Sequence, residues 1–217
     1  MDPRASVELK QDAGTSRPAP AAEELLRANT YALLAALLLR PPDPELLALL
    51  GGVGDSASGS PSLQEADMTG SWNLLGLAAR QADPQAVDDE YHDLFIGITR
   101  GELVPYGSWY MTGSLMDKPL VFLRRDLQML GVEREAGVCE PEDHAGALCE
   151  VMAILASHPE EVTHPMQQAF FAAHIEPWLG RLFADMQRAG AACFYKAVGR
   201  LGEQFMALER RYLGTAE

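Results

Sequence analysis

Apolar positions along the chain recur at three- and four-residue spacing, and no stretch alternates convincingly one for one, so the pattern predicts helices throughout. The first helix opens at Glu23 and carries Leu25, Leu26, Tyr31, Leu33, Leu34, Leu37 and Leu38, a broad apolar surface that Pro41-Pro42 stops. Asp43-Pro44 then predicts the capped start of a short helix through Leu50. A Gly- and Ser-rich loop over 51–61 precedes a helix over about 63–81, with Trp72, Leu75 and Leu77. Asp83-Pro84 opens the next, where Val87, Tyr91, Leu94 and Phe95 keep helical spacing.

The periodicity fails over 97–113. Gly97, Gly101, Pro105, Gly107 and Gly113 break this segment, and Tyr106, Trp109 and Tyr110 stand among them with no helical face to occupy. An ordered loop of that length is usually functional. Helical pattern returns over 118–130 and stops at Gly131. The polar run 132–142 has the character of a connection between lobes. One helix after Pro141 runs to about Ser157 with Leu148, Val151, Met152 and Leu155 on one face. A second starts at Pro165 with Phe170, Phe171 and His174, and a third restarts at Pro177 and runs through Met186. The last spans about 191–212 and buries Phe194, Val198, Leu201, Phe205 and Leu208. The expected fold is all-α: a single globular helical unit of about ten helices in two lobes joined by a hinge. It divides into a disordered tail at 1–21, an N-terminal lobe at 22–131 with the irregular loop 97–113, a hinge at 132–142, and a C-terminal lobe at 143–217.

Composition agrees with this reading, because Val and Ile are scarce while Leu, Ala, Met, Glu and Gln are plentiful. The formal net charge of −14 makes nucleic acid and anionic membranes poor partners and favours a basic one, although solubility alone would account for it equally well. The cysteines, Cys139, Cys149 and Cys193, form no CxxC pair, which suits a reducing compartment. No apolar run approaches the roughly 20 residues of a membrane span, and no basic-then-apolar leader is visible, so the cytoplasm is expected. Arg124-Arg125 lies too deep in the chain to act as an export signal.

Asp88, Asp89, Glu90, His92 and Asp93 are crowded, but consecutive helical residues point around the axis, so a solvated face at a helix start is expected rather than a metal site. Cys139, His144 and Cys149 lack zinc-finger spacing, and no GxSxG elbow is present. Cys149 and Cys193 fall in apolar helical patterns and are expected in the core. Neither a catalytic residue nor a metal ligand is expected; a helical metal-dependent enzyme is the reading from another class. Glu140-Pro141-Glu142-Asp143-His144 sets carboxylates at a helix entrance, where they would cap backbone N–H groups or receive a donor from a bound chain. Tyr106, Trp109 and Tyr110 would either plug a gap between helices or anchor a ligand, and Glu142 and Asp143 are candidates to pair with arginine.

Taken in order, Tyr91-His-Asp-Leu-Phe-Ile-Gly97, Pro105-Tyr-Gly-Ser-Trp-Tyr110 and Glu140-Pro-Glu-Asp-His144 resemble the signature set of the TorD/DmsD family, the cytoplasmic maturation chaperones of twin-arginine-exported molybdoenzymes. His174-Ile-Glu-Pro-Trp178 and Phe194-Tyr195 resemble its C-terminal helices, so the likeness spans roughly 23–213. The resemblance implies a non-enzymatic helical chaperone. Such a protein binds the twin-arginine signal peptide, the apo catalytic subunit of a molybdopterin oxidoreductase, or both, and holds the client until its cofactor is inserted. A nitrate-reductase-type assembly chaperone for a subunit that is never exported is the alternative. The resemblance carries peptide binding to Leu94, Pro105, Tyr106, Gly107, Ser108 and Tyr110, and to Pro141, Asp143 and His144. Tyr106 stands where some relatives place Trp, and Thr99 and Arg100 stand where an aromatic occurs, which sets a basic group near a basic ligand. No cofactor is expected; weak GTP binding is implied by resemblance alone, without a P-loop. The chain is expected as a monomer or a domain-swapped dimer.

Overall fold

Aspartate followed by proline sets several helix starts. The computed structural model describes residues 7–9, 22–53, 63–98, 100–134, 137 and 140–214. The expected tail 1–21 lies outside these except for 7–9, as do Thr99, Cys139, much of the loop 51–61 and part of the hinge 132–142. Ten α-helices occur among the described residues, so the protein is all-α. They are α1 (Ala22–Leu39), α2 (Pro44–Gly51), α3 (Leu63–Gln81), α4 (Pro84–Tyr91), α5 (Gly107–Thr112), α6 (Lys118–Met129), α7 (Ala145–Ser157), α8 (His164–His174), α9 (Leu179–Arg188) and α10 (Phe194–Gly214). Asp43, Asp83 and Asp117 each accept a backbone N–H at the first turn of α2, α4 and α6, and each is followed there by a proline.

The helices form two compact units, each assembled from segments far apart in the chain. One comprises 1–39, 106–178 and 212–217; the other comprises 40–105 and 179–211. The two consecutive lobes expected at 22–131 and 143–217 are therefore interleaved segments instead. The reason lies in the first unit, where α1 packs along α7. Tyr31, Leu34, Ala35 and Leu38 recur at helical spacing on α1, as do Leu148, Val151, Met152 and Leu155 on α7, and all eight are buried. At this contact a Cβ on Gly146 would lie 2.5 Å from Leu39 Cγ, so only glycine allows the helices to approach this closely. Leu25 and Leu26, read as part of the same apolar surface, remain 50% and 65% exposed. Arg27 is buried on α1 because Glu24 (2.5 Å) and Gln167 (3.1 Å) accept from it and the Tyr212 ring lies 4.2 Å from its guanidinium carbon. Two three-residue strands, β1 (Val7–Leu9) and β2 (Val132–Arg134), pair antiparallel in the same unit. Neither was visible as alternation, since three residues are too short to show a period.

In the second unit, α4 runs into a π turn over His92–Ile96, and Gly97 ends it with φ +60°. The chain then folds back: Glu102 N–H donates to Asp93 O (3.1 Å) and Leu103 N–H to Leu94 O (2.8 Å). Two carboxylates from this region secure the segment leading into α10. Glu90 accepts the backbone N–H groups of Cys193 (2.7 Å), Phe194 (3.0 Å) and Tyr195 (2.7 Å). Glu102 accepts those of Gly190 (2.7 Å) and Ala191 (3.0 Å), which hold its carboxyl below the usual carboxylate range. Glu90 is thus buried and does not belong to the solvated acidic face it was read in; Asp89, His92 and Asp93 do. Cys149 is buried as expected, whereas Cys193 is exposed, because α10 begins one residue after it.

Replacing Glu90 by Ala leaves buried N–H groups of α10 without acceptors. The expected loss is about 2–3 kcal/mol of stability, read by urea unfolding, with a smaller loss for Glu90→Gln.

Candidate functional site

The first unit brings the two candidate motifs together. Gly107 N–H donates to the Asp143 carbonyl (2.8 Å) and Ser108 N–H to Asp143 Oδ2 (2.8 Å), so one buried residue satisfies two N-terminal donors of α5. Beside them Tyr106 and His144 form an antiparallel bridge, with their rings edge-on at 5.2 Å. The Tyr106 hydroxyl donates to Glu140 Oε1. The segment 97–113 is consequently not irregular to its end: Gly107–Thr112 is helical, with Tyr106 as its N-cap residue. Its capping groups come from 35 residues away, beyond the reach of any local pattern.

The acidic run is likewise used differently from its expected role. His144, not a carboxylate, caps α7, its Nδ1 accepting Gly146 N–H at 3.1 Å. Asp143 turns back to α5, so the two neighbours do not pair with each other. Asp143 Oδ1 is buried and has no hydrogen-bond partner among the described residues. Glu142 is held by Arg124, whose Nε and Nη2 lie 3.0 and 2.8 Å from Oε2. Burial alone would raise the Glu142 carboxyl, but the Arg124 hydrogen bond, with the charges of Arg124 and Arg134 behind it, outweighs burial and lowers it. Arg134 also donates to the Glu140 carbonyl at 3.2 Å. These arginines were missed as site residues; Arg124 was weighed only as an export signal, and its 18-residue distance from Glu142 gives no local clue.

The aromatics divide. Tyr110 lies 5.5 Å from Trp178, a wholly buried side chain whose Nε1 donates to the His174 carbonyl. A Cβ on Gly107 would come within 3.1 Å of that indole nitrogen, so glycine lets the backbone lie against the ring. Ser108 is buried, and its Oγ accepts Met116 N–H at 3.1 Å. Tyr106, Trp109, Tyr110, Pro141 and Glu142 are half-buried and Glu140 is exposed, so these six offer surface to a ligand. Leu94 is fully buried in the other unit, and Pro105 ends the first segment of that unit and is also buried; both are framework rather than surface. Arg100 is exposed, also in that unit. His144 is buried, and burial pushes its equilibrium down to about 4 against the smaller upward pull of Glu140 and Asp143.

The arrangement pairs aromatic surface with carboxylates, and among the described residues no His, Cys, Asp or Glu side chains gather as a metal site. No described helix is long and apolar enough to cross a membrane. Fold and site thus define an all-α protein that carries an aromatic and acidic surface at the start of α5. The family described as "Nitrate reductase delta subunit" matches residues 62–184, and the chain belongs to that family, with TorD and DmsD among its relatives. The chain is 26% identical over 178 residues to the "Chaperone protein TorD" of Vibrio cholerae, covering 78% of this chain and 79% of that protein. It is 26% identical over 210 residues to that of Shewanella loihica, with 87% and 93% covered. It is 29% identical over 125 residues to the "Tat proofreading chaperone DmsD" of Salmonella typhi, with 57% and 60% covered. The protein is a redox enzyme maturation chaperone and not an enzyme.

His144 makes this site sensitive to acid. Above the ordinary histidine value of 6.5 both folded and unfolded chains are neutral, and between 6.5 and about 4 only the unfolded chain takes up the proton. Stability is therefore fully present above that window and falls through it, by about 3 kcal/mol in all. Chemical denaturation from pH 7.5 to 4 is expected to record this slope in the wild type, and a flatter one in His144→Asn, which keeps a capping acceptor. At neutral pH, Asp143→Ala is expected to lose about 1–2 kcal/mol by uncapping α5, whereas Asp143→Asn retains most of the stability; thermal unfolding of the two side by side checks it.

Proposed function

We propose that this protein is a cytoplasmic chaperone that binds the twin-arginine signal peptide of a molybdopterin oxidoreductase subunit, the apo subunit itself, or both. It holds the client until its cofactor is inserted and before export, and needs no cofactor of its own to do so. The observation that carries the reading is the half-buried Tyr106 ring with the exposed Glu140 carboxylate on its hydroxyl. An exposed carboxylate beside a half-buried tyrosine suits a guanidinium, which stacks on the ring and donates to the carboxylate. Half-buried Trp109 and Tyr110 extend the aromatic surface on α5. The net charge of −14 accelerates encounter with a basic leader and makes the rate fall with salt.

The Glu142 carboxylate already carries Arg124 and Asp143 is buried, so exposed Glu140 is the better acceptor for an incoming arginine. The family description favours a second reading, a client of the nitrate-reductase type that keeps no export leader. The two differ in whether an isolated leader binds at all.

Calorimetry with a synthetic twin-arginine leader is expected to give binding that Tyr106→Ala and Glu140→Gln each weaken, the former by about 1–3 kcal/mol. Equal affinity for a leader with both arginines changed to glutamine would refute arginine recognition. Binding of apo catalytic subunit without any binding of leader would favour the second reading.

A further inference from the structure

Six of the 14 large apolar side chains exposed among the described residues fall within positions 111–129: Met111, Leu115, Met116, Val121, Phe122 and Met129. They occupy the end of α5, the turn after it and the outer side of α6, whose inner side buries Leu120, Leu123 and Leu127. Met111 and Phe122 line a groove of about 380 Å³ together with Pro119 and, from α8, Ala173. Phe122 is 54% exposed and Met111 42%.

The charges in this groove differ from those of the chain as a whole. Asp126 is paired from within, with Arg125 Nε at 3.0 Å and His174 Nε2 at 2.8 Å, and Lys118 adds a cation to the lining. A protein of net charge −14 thus lines this groove with more cationic than anionic side chains. α5 also links the groove to the acidic site. That helix begins on Asp143 and ends at Thr112 in the groove, while Met116 N–H is tied back to Ser108 Oγ. Its six residues span about 9 Å, the length of roughly three extended residues.

Resting on the reading above, we propose that this groove seats the uncharged apolar stretch of the leader whose arginines reach the Tyr106–Glu140 cluster. Charge complementarity sets the direction. Glu140 and Asp143 attract the arginines at the start of α5, and Lys118 and Arg125 repel them from its far end. Methionine side chains adapt to varied apolar partners, so the groove accepts different leaders that share apolarity rather than a motif.

The test uses the full chain and two labelled leader peptides with the same arginine pair, one with its apolar stretch intact and one with that stretch changed to serine. Fluorescence anisotropy is expected to give the wild type at least a tenfold preference for the intact peptide. Phe122→Asp and, as a second variant, Met111→Ser are expected to abolish that preference and leave affinity for the serine peptide unchanged. Variants that keep the preference, or that weaken both peptides alike, overturn the groove while leaving arginine binding intact. A wild type that binds neither peptide overturns both readings. Sedimentation revealing a wild-type dimer that Phe122→Asp dissociates assigns the surface to a second copy of the chain and also overturns the proposal.

Discussion

Asp143 is the residue on which the site depends. A six-residue helix does not hold itself together in water, because too few hydrogen bonds offset the cost of ordering its first turn. Asp143 supplies a carbonyl and a carboxylate oxygen to that turn, and thereby fixes where Tyr106, Trp109 and Tyr110 stand. It does so from the residue before His144, which starts α7. One short turn of chain therefore sets the origin of two helices and brings the aromatic and acidic groups onto the same edge. The same clamp keeps Asp143 buried, with Oδ2 given over to the Ser108 N–H.

The carboxylates of the acidic run are chemically unequal although they are adjacent in sequence. Glu142 is committed to Arg124, Asp143 to the first turn of α5, and Glu140 is exposed against a tyrosine hydroxyl. Formal charge counts all three alike. The side chains available to a ligand are decided by what each already holds, and internal arginines reduce the acidic character that composition suggests. The same holds on the other unit, where Glu90 and Glu102 serve backbone donors of a distant segment rather than solvent.

Much of the helical architecture was legible because Asp-Pro pairs, glycine stops and three-to-four spacing are local signals. α2, α3 and α6 occupy the expected spans within a residue or two, and α4 starts where expected but gives way after Tyr91 to the π turn. Non-local arrangements were not legible. α5 was hidden because its cap lies in another motif, Cys193 was misplaced because α10 starts later than its apolar pattern, and the division into consecutive lobes failed because α1 seeks α7. The family resemblance brought the right motifs to attention, but it did not distinguish Leu94, which is core, from Tyr106, which is surface. Function attaches to the motif, whereas exposure depends on packing that spacing does not record.

Interleaving has a consequence for how the protein is made. Leu34 and Leu38 of α1 leave the ribosome about a hundred residues before α7, the helix that covers them in the finished protein. At ordinary synthesis rates that interval is roughly 5–20 seconds. The second unit waits longer still, since Glu90 meets its partners only after residue 195 has been added. The protein thus passes through a period of uncovered apolar helix during its own translation.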